Sequence, residues 1–137
     1  MNLTITSYGG NLLGTGNLTL TGGALSLTNG GTGTTAFSGI ISGTASTITK
    51  AGTGRLTLSG ANTYTGATTI SAGILAVSGN LSNSTAVTVS SGATYNVNAS
   101  QWIGSLAGAG TVSTANTSGT TILTVGADNS STIFSGV

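Results

Sequence analysis

The sequence predicts an all-β chain wound as a right-handed parallel β-helix, a solenoid of about seven coils of roughly 19 residues each. Three observations carry that expectation. Apolar residues alternate with Thr, Ser or Asn over short runs; Gly and Asn interrupt those runs at close intervals; and like positions return at an even spacing. Alternation with period two marks short half-buried strands. No window carries apolar residues at helical spacing, and 24 glycines in 137 residues disfavour helix throughout.

Taken in order, "NLTLTG" turns Leu18 and Leu20 inward and Thr19 and Thr21 outward, and "TAFSGI" contributes Phe37. "RLTLSG" turns Leu56 and Leu58 inward with Thr57 and Ser59 outward, and "AGILAV" supplies Leu75 and Val77. "AVTVSS", "TYNVNA" and "TILTVG" add the pairs Val87 and Val89, Tyr95 and Val97, and Leu123 and Val125. Leu18, Phe37, Leu56, Leu75 and Tyr95 follow one another at that even spacing and form the expected core ladder. Two string repeats support a fixed period: "GTGNLTL" from Gly14 returns as "GTGRLTL" from Gly52, and "TAFSGI" from Thr35 returns as "TIFSGV" from Thr132. A coil of this size cannot bury its apolar side alone, but stacked coils bury each other's. Connections between parallel strands are strongly right-handed, which sets the expected hand. Residues 1–137 then form a single solenoid, one domain or one piece of a larger one.

Composition narrows the function. The chain has two basic residues, one acidic residue, no His and no Cys. Two cations cannot neutralise a nucleic acid backbone or form a polybasic membrane patch, so neither partner is expected. The many hydroxyls lack a base to activate them, so no enzyme activity and no catalytic residue is expected. Asp128 alone cannot build a metal site; it reads as a turn cap in "GADNSS". No cofactor-binding motif is present. Lys50 and Arg55 read as solvated charges at coil corners. Tyr8, Tyr64, Tyr95 and Trp102 read as fillers or caps of a thin core, with a sugar-stacking platform as the alternative. The start "MNLTITSYGG" lacks the basic and long apolar stretches of a signal peptide.

The stretch "KAGTGRLTLSGANTYTGATTISAGILAVSG", residues 50–79, resembles the passenger-associated transport repeat, also called the autotransporter-associated β-strand repeat. The matching positions are Leu56, Leu58, Gly60, Asn62, Tyr64, Gly66, Ile70, Gly73 and Leu75, while Ala67 and Ile74 depart from the usual Gly and Thr. Residues 80–137 look like the sequence between such repeats. The resemblance implies a surface-exposed or secreted passenger segment of a Gram-negative autotransporter, adhesin-like, located outside the cell or at the outer-membrane surface. It further implies a non-catalytic stalk that assists export and folding, with flanking passenger coils and an outer-membrane barrel in the parent protein. An open-ended solenoid also suggests end-to-end self-association. The alternative function is a surface binder of a ligand, glycan or ice that uses outward Thr, Ser and Asn ladders.

Overall fold

Each alternating run forms a strand, and each cluster of small residues turns a corner. The computed structural model describes residues 3–7, 13–14, 16–29, 32–117 and 119–137. The chain winds in coils of three short segments. The first coil holds β1 (Leu3–Ser7), β2 (Leu13–Gly14) and β3 (Leu18–Thr19), and the second β4 (Ala24–Asn29), β5 (Thr34–Phe37) and β6 (Ile41–Ser42). The third holds β7 (Thr47–Ala51) and β8 (Arg55–Leu58), and the fourth β9 (Thr68–Ile70) and β10 (Ile74–Val77). The fifth holds β11 (Ala86–Val89), β12 (Thr94–Val97) and β13 (Gln101–Ile103), and the sixth β14 (Ser105–Gly108), β15 (Thr111–Ser113) and β16 (Leu123–Val125). No helix occurs among the described residues.

Among the described residues all strand pairs are parallel, and two sheets run the length of the stack. One is ordered β1-β4-β7-β9-β11-β14, the other β2-β5-β8-β10-β12-β15. The third side is shorter: β3 pairs with β6, Ala61 bridges Asn80, and β13 pairs with β16. After the sixth coil the chain starts across it again: Phe134 bridges Gly108, and the Val112 N–H donates to the Val137 carbonyl at 2.7 Å.

From β1 to β14 the six coils make about five full turns, fewer than the seven expected. The expected period holds only in the middle of the stack; later, Gln101 pairs with Leu123 and Gly108 bridges Phe134, longer steps again. In the first sheet Thr68 pairs with Val87 and Val87 with Leu106, two equal steps that match it. Earlier, Leu3 pairs with Leu25 and Leu25 with Ile48, and both steps are longer. The extra residues lie in corners, where a longer loop costs little and leaves the strands in register.

The inward faces form one core. Leu25, Ile48, Thr68 and Val87 stack in one ladder and Leu56, Leu75 and Tyr95 in another, all buried. Two members of the expected ladder stand elsewhere. Phe37 is in register with Leu58, two places on from Leu56, whose partner on β5 is Thr35. Leu18 lies on the third side, paired with Ile41. Both pack half-buried against the core. The return of "GTGNLTL" as "GTGRLTL" is not a structural equivalence either. Gly14 pairs with Phe37 and so falls in line with Leu58, whereas Gly52 turns the corner between β7 and β8. Short strings built from Gly, Thr and Leu recur without marking the same place in a coil.

Candidate functional site

The residues of the expected repeat occupy the third and fourth coils, the centre of the stack. Leu56, Leu58, Tyr64, Ile70 and Leu75 are all at most 1% exposed. Fully burying such a side chain stabilises by about 1.5–3 kcal/mol, so this segment is a main anchor of the core. Its polar members do a different job: they tie successive coils together.

Asn62 connects three coils. Its Oδ1 accepts the Ile41 N–H of the second coil at 2.9 Å. Its Nδ2 donates to Gly60 of its own coil at 3.0 Å and to Asn80 of the fourth coil at 3.1 Å. Both donors and the acceptor are used, so the amide is buried without an unmet polar group. Gly60 permits that close stacking. A Cβ on Gly60 would strike the carbonyl of Gly39 below it, and one on Gly79 would strike that of Gly60. Tyr64 runs into the core and ends on Thr68, hydroxyl to hydroxyl, at 2.6 Å. Burial pushes the Tyr64 phenol above the usual tyrosine range, and burial followed by the nearby Tyr64 does the same to Tyr95.

Lys50 overturns the reading as a solvated corner charge. It is 0% exposed and occupies a core position, in register with Leu27 and Ile70. The alternation of β7 required this, since Ile48 faces inward and the residue two places on must follow. Its ammonium donates to the carbonyls of Ala51 at 3.0 Å, Gly52 at 2.8 Å and Ala72 at 3.1 Å. Three donors thus meet three corner carbonyls, two in the third coil and one in the fourth. Desolvation by burial lowers its pKa from 10.5 to about 8. Neighbouring Asn29 acts similarly one coil earlier, donating to Gly33 at 3.1 Å and to Arg55 at 3.3 Å.

The remaining charges are peripheral. Arg55 is half-buried and donates to Asn96 Oδ1 at 2.9 Å, across the fourth coil to the fifth. Asp128 is exposed and caps its own turn, accepting the Ser130 hydroxyl at 2.7 Å and the Ser130 N–H at 3.0 Å. These bonds hold its carboxyl below the usual carboxylate range. No group of three or more acidic, Cys or His residues converges among the described residues.

The aromatic residues separate. Tyr64 and Tyr95 are core fillers, Trp102 projects outward at 63% exposure, and Tyr8 lies outside the described residues. Of the outward hydroxyls, Thr19 is exposed and Thr57 half-buried. A longer polar ladder that sequence reading missed runs down the first sheet through Ser26, Thr49, Thr69 and Thr88, and ends at Ala107. It is narrow: beside it, the outward Thr28 and Thr47 pair with Ala51 and Ala24.

At the end of the stack the core opens. Leu106, Val112 and Leu123 are only half-buried, and Val125, expected inward, is 44% exposed. Ile122, Ile133 and Val137 are more exposed still. A gap of about 250 Å³, lined by Val97, Val112 and Leu123 among others, lies beside the long connection from β15 to β16.

Residues 48–77 match the family model described as passenger-associated-transport-repeat. The match opens on Ile48 in β7 and closes on Val77, the last residue of β10. It therefore spans the coils joined by Lys50, Asn62 and Tyr64. Neither the curated proteins nor the solved structures give a match to this chain.

Proposed function

We propose that this chain is a non-catalytic stalk segment of a bacterial autotransporter passenger, displayed on the cell surface or secreted, and that its coil-on-coil folding assists export. The observation that carries the reading is the coincidence of the transport repeat at residues 48–77 with two successive coils whose inward side chains are fully buried. There, each coil finds its apolar ladder and its polar ties on the coil before it. A chain emerging from a pore can then fold one coil at a time onto a finished template, and each addition opposes backsliding. The near absence of charge and the lack of cysteine suit that route, since nothing must be paired or oxidised on the way.

The opened core at Val125, Ile133 and Val137 supports a further element of the reading: the last coil accepts another. In the parent this would be the following passenger coil. In the isolated chain a second copy would stack end to end, in a contact that propagates as a filament.

The test places this chain, with its own sequence or with Leu56→Asp, in the passenger of an autotransporter that has an intact barrel. Surface display is then scored by protease accessibility on whole cells. The reading expects at least about a tenfold loss of displayed passenger for the variant, because a charge in the core aborts the stack. Equal display would overturn it.

A further inference from the structure

The third side of the solenoid contains a groove where backbone pairing between coils is interrupted. Inter-coil pairing follows this side through Asn62, whose N–H donates to the Asn80 carbonyl at 2.9 Å, and resumes where the Gly104 N–H donates to Thr85 at 2.9 Å. Between these points the ladder lapses. β13 pairs with β16 above it, but below it the Leu81 N–H is met by a side chain, Gln101 Oε1, at 3.4 Å. The gap this leaves has a volume of about 370 Å³ and is lined by Asn80, Leu81, Asn83, Ser100, Gln101 and Trp102.

The lining is unusual for this molecule. Trp102 is the chain's one tryptophan, and it stands outward between the buried Gln101 and Ile103. Core packing does not need it there. Around it are three amide side chains and one hydroxyl, with no ionisable group. Asn80 is held through its backbone, its N–H on Gly60 and its carbonyl on Asn62, which leaves its side chain to the groove. Gln101 is 3% exposed and its Nε2 has no partner, so a buried donor is left unmatched. The volume sits at the lower end of the ~300–1,000 Å³ range of small-ligand sites.

We propose that this groove binds an uncharged saccharide. One face of a sugar ring is largely C–H and stacks on the flat indole, whose π-face is electron-rich. The ring hydroxyls both donate and accept. Amides match them on both counts, presenting a carbonyl oxygen and two N–H donors in a fixed plane. The absence of charge favours a neutral sugar over a phosphate, a sialylated glycan or an acidic peptide. This role goes beyond the stalk reading and does not depend on it.

Because Trp102 is the one tryptophan, indole fluorescence reports the groove directly. The isolated chain is titrated with maltotriose, tri-N-acetylchitotriose and lactose. At least one is expected to give a saturable spectral change with Kd on the order of 1 mM, typical of a single shallow site. The same titrations are followed by amide NMR in Trp102→Ala and Asn83→Ala. Both residues are exposed, so both variants should keep the urea midpoint of the parent chain. Trp102→Ala is expected to weaken binding at least tenfold and Asn83→Ala severalfold. Three results would overturn the proposal: no saturable change with any of the three sugars, undiminished binding in Trp102→Ala, or an indole signal that tracks protein concentration instead of sugar. The last would assign the groove to a second copy of the chain.

Discussion

Gly52 and Gly92 turn equivalent corners, before β8 and before β12, and they separate two costs that usually come together. Both have left-handed backbone, with φ of 75° and 80°. Replacing either by Ala incurs the steric cost of that conformation, about 1–2 kcal/mol. Their surroundings differ. A Cβ on Gly92 meets nothing within 4 Å, whereas one on Gly52 would overlap the carbonyl carbon and oxygen of Asn29 on the coil below. Relieving that overlap means parting coils that stack at ~4.8 Å by roughly 1 Å. The displacement would stretch the 3.2 Å bond from the Gly54 N–H to the Asn29 carbonyl and pull the Gly52 carbonyl from Lys50. Two weakened buried bonds at ~1 kcal/mol each, added to the backbone strain and lost packing, put Gly52→Ala at about 4 kcal/mol or more. Gly92→Ala should stay near ~1–2 kcal/mol. Urea unfolding followed by far-ultraviolet circular dichroism measures both. Equal losses would refute the argument that inter-coil contact, and not local strain alone, demands glycine at Gly52.

Other expectations follow from the same geometry. Leu56→Asp buries an unpaired carboxylate and should cost more than about 4 kcal/mol, while its neighbour Thr57→Asp should cost about 1 kcal/mol or less; urea midpoints that shift alike would refute the facing of β8. Lys50 has a folded-state pKa of about 8 against 10.5 unfolded, so between those values the unfolded chain holds more protons. Stability should therefore rise from about pH 8 to pH 10, by at most about 1.4 kcal/mol per pH unit. Above pH 10 it should fall again, because Tyr64 and Tyr95 ionise only once unfolded. Melting curves across this range, with Lys50→Met removing the rise, check the sign. Ile133→Lys and Val137→Lys alter side chains that are 82% and 86% exposed, so both should leave the fold intact. In a sedimentation series they should abolish the concentration-dependent association expected of the parent chain; filaments that persist unchanged would refute stacking through this end.

The sequence by itself determined the all-β class, the inward facing of Leu56, Leu58, Leu75, Val87 and Val89, and the repeat near residues 50–79. These are local properties. Side chains alternate strictly along a strand, so composition at i and i+2 reports burial before any partner is known. The facing of Lys50 was written in the same alternation, two places after Ile48, but its charge argued for the surface. Only the stacked structure supplies the three carbonyls of Ala51, Gly52 and Ala72 that make its burial tolerable. Register, too, belongs to the tertiary structure. Phe37 aligned with Leu58, and Leu18 with Ile41, because corners absorb a varying length of chain without moving the strands they join. For the same reason the count of coils could not be obtained by dividing the length by one period. The groove beside Trp102 lay furthest beyond the sequence. It exists because backbone pairing on the third side lapses between Leu81 and Gln101, and a lapse in pairing is a relation between coils a full turn apart that no single stretch of chain contains.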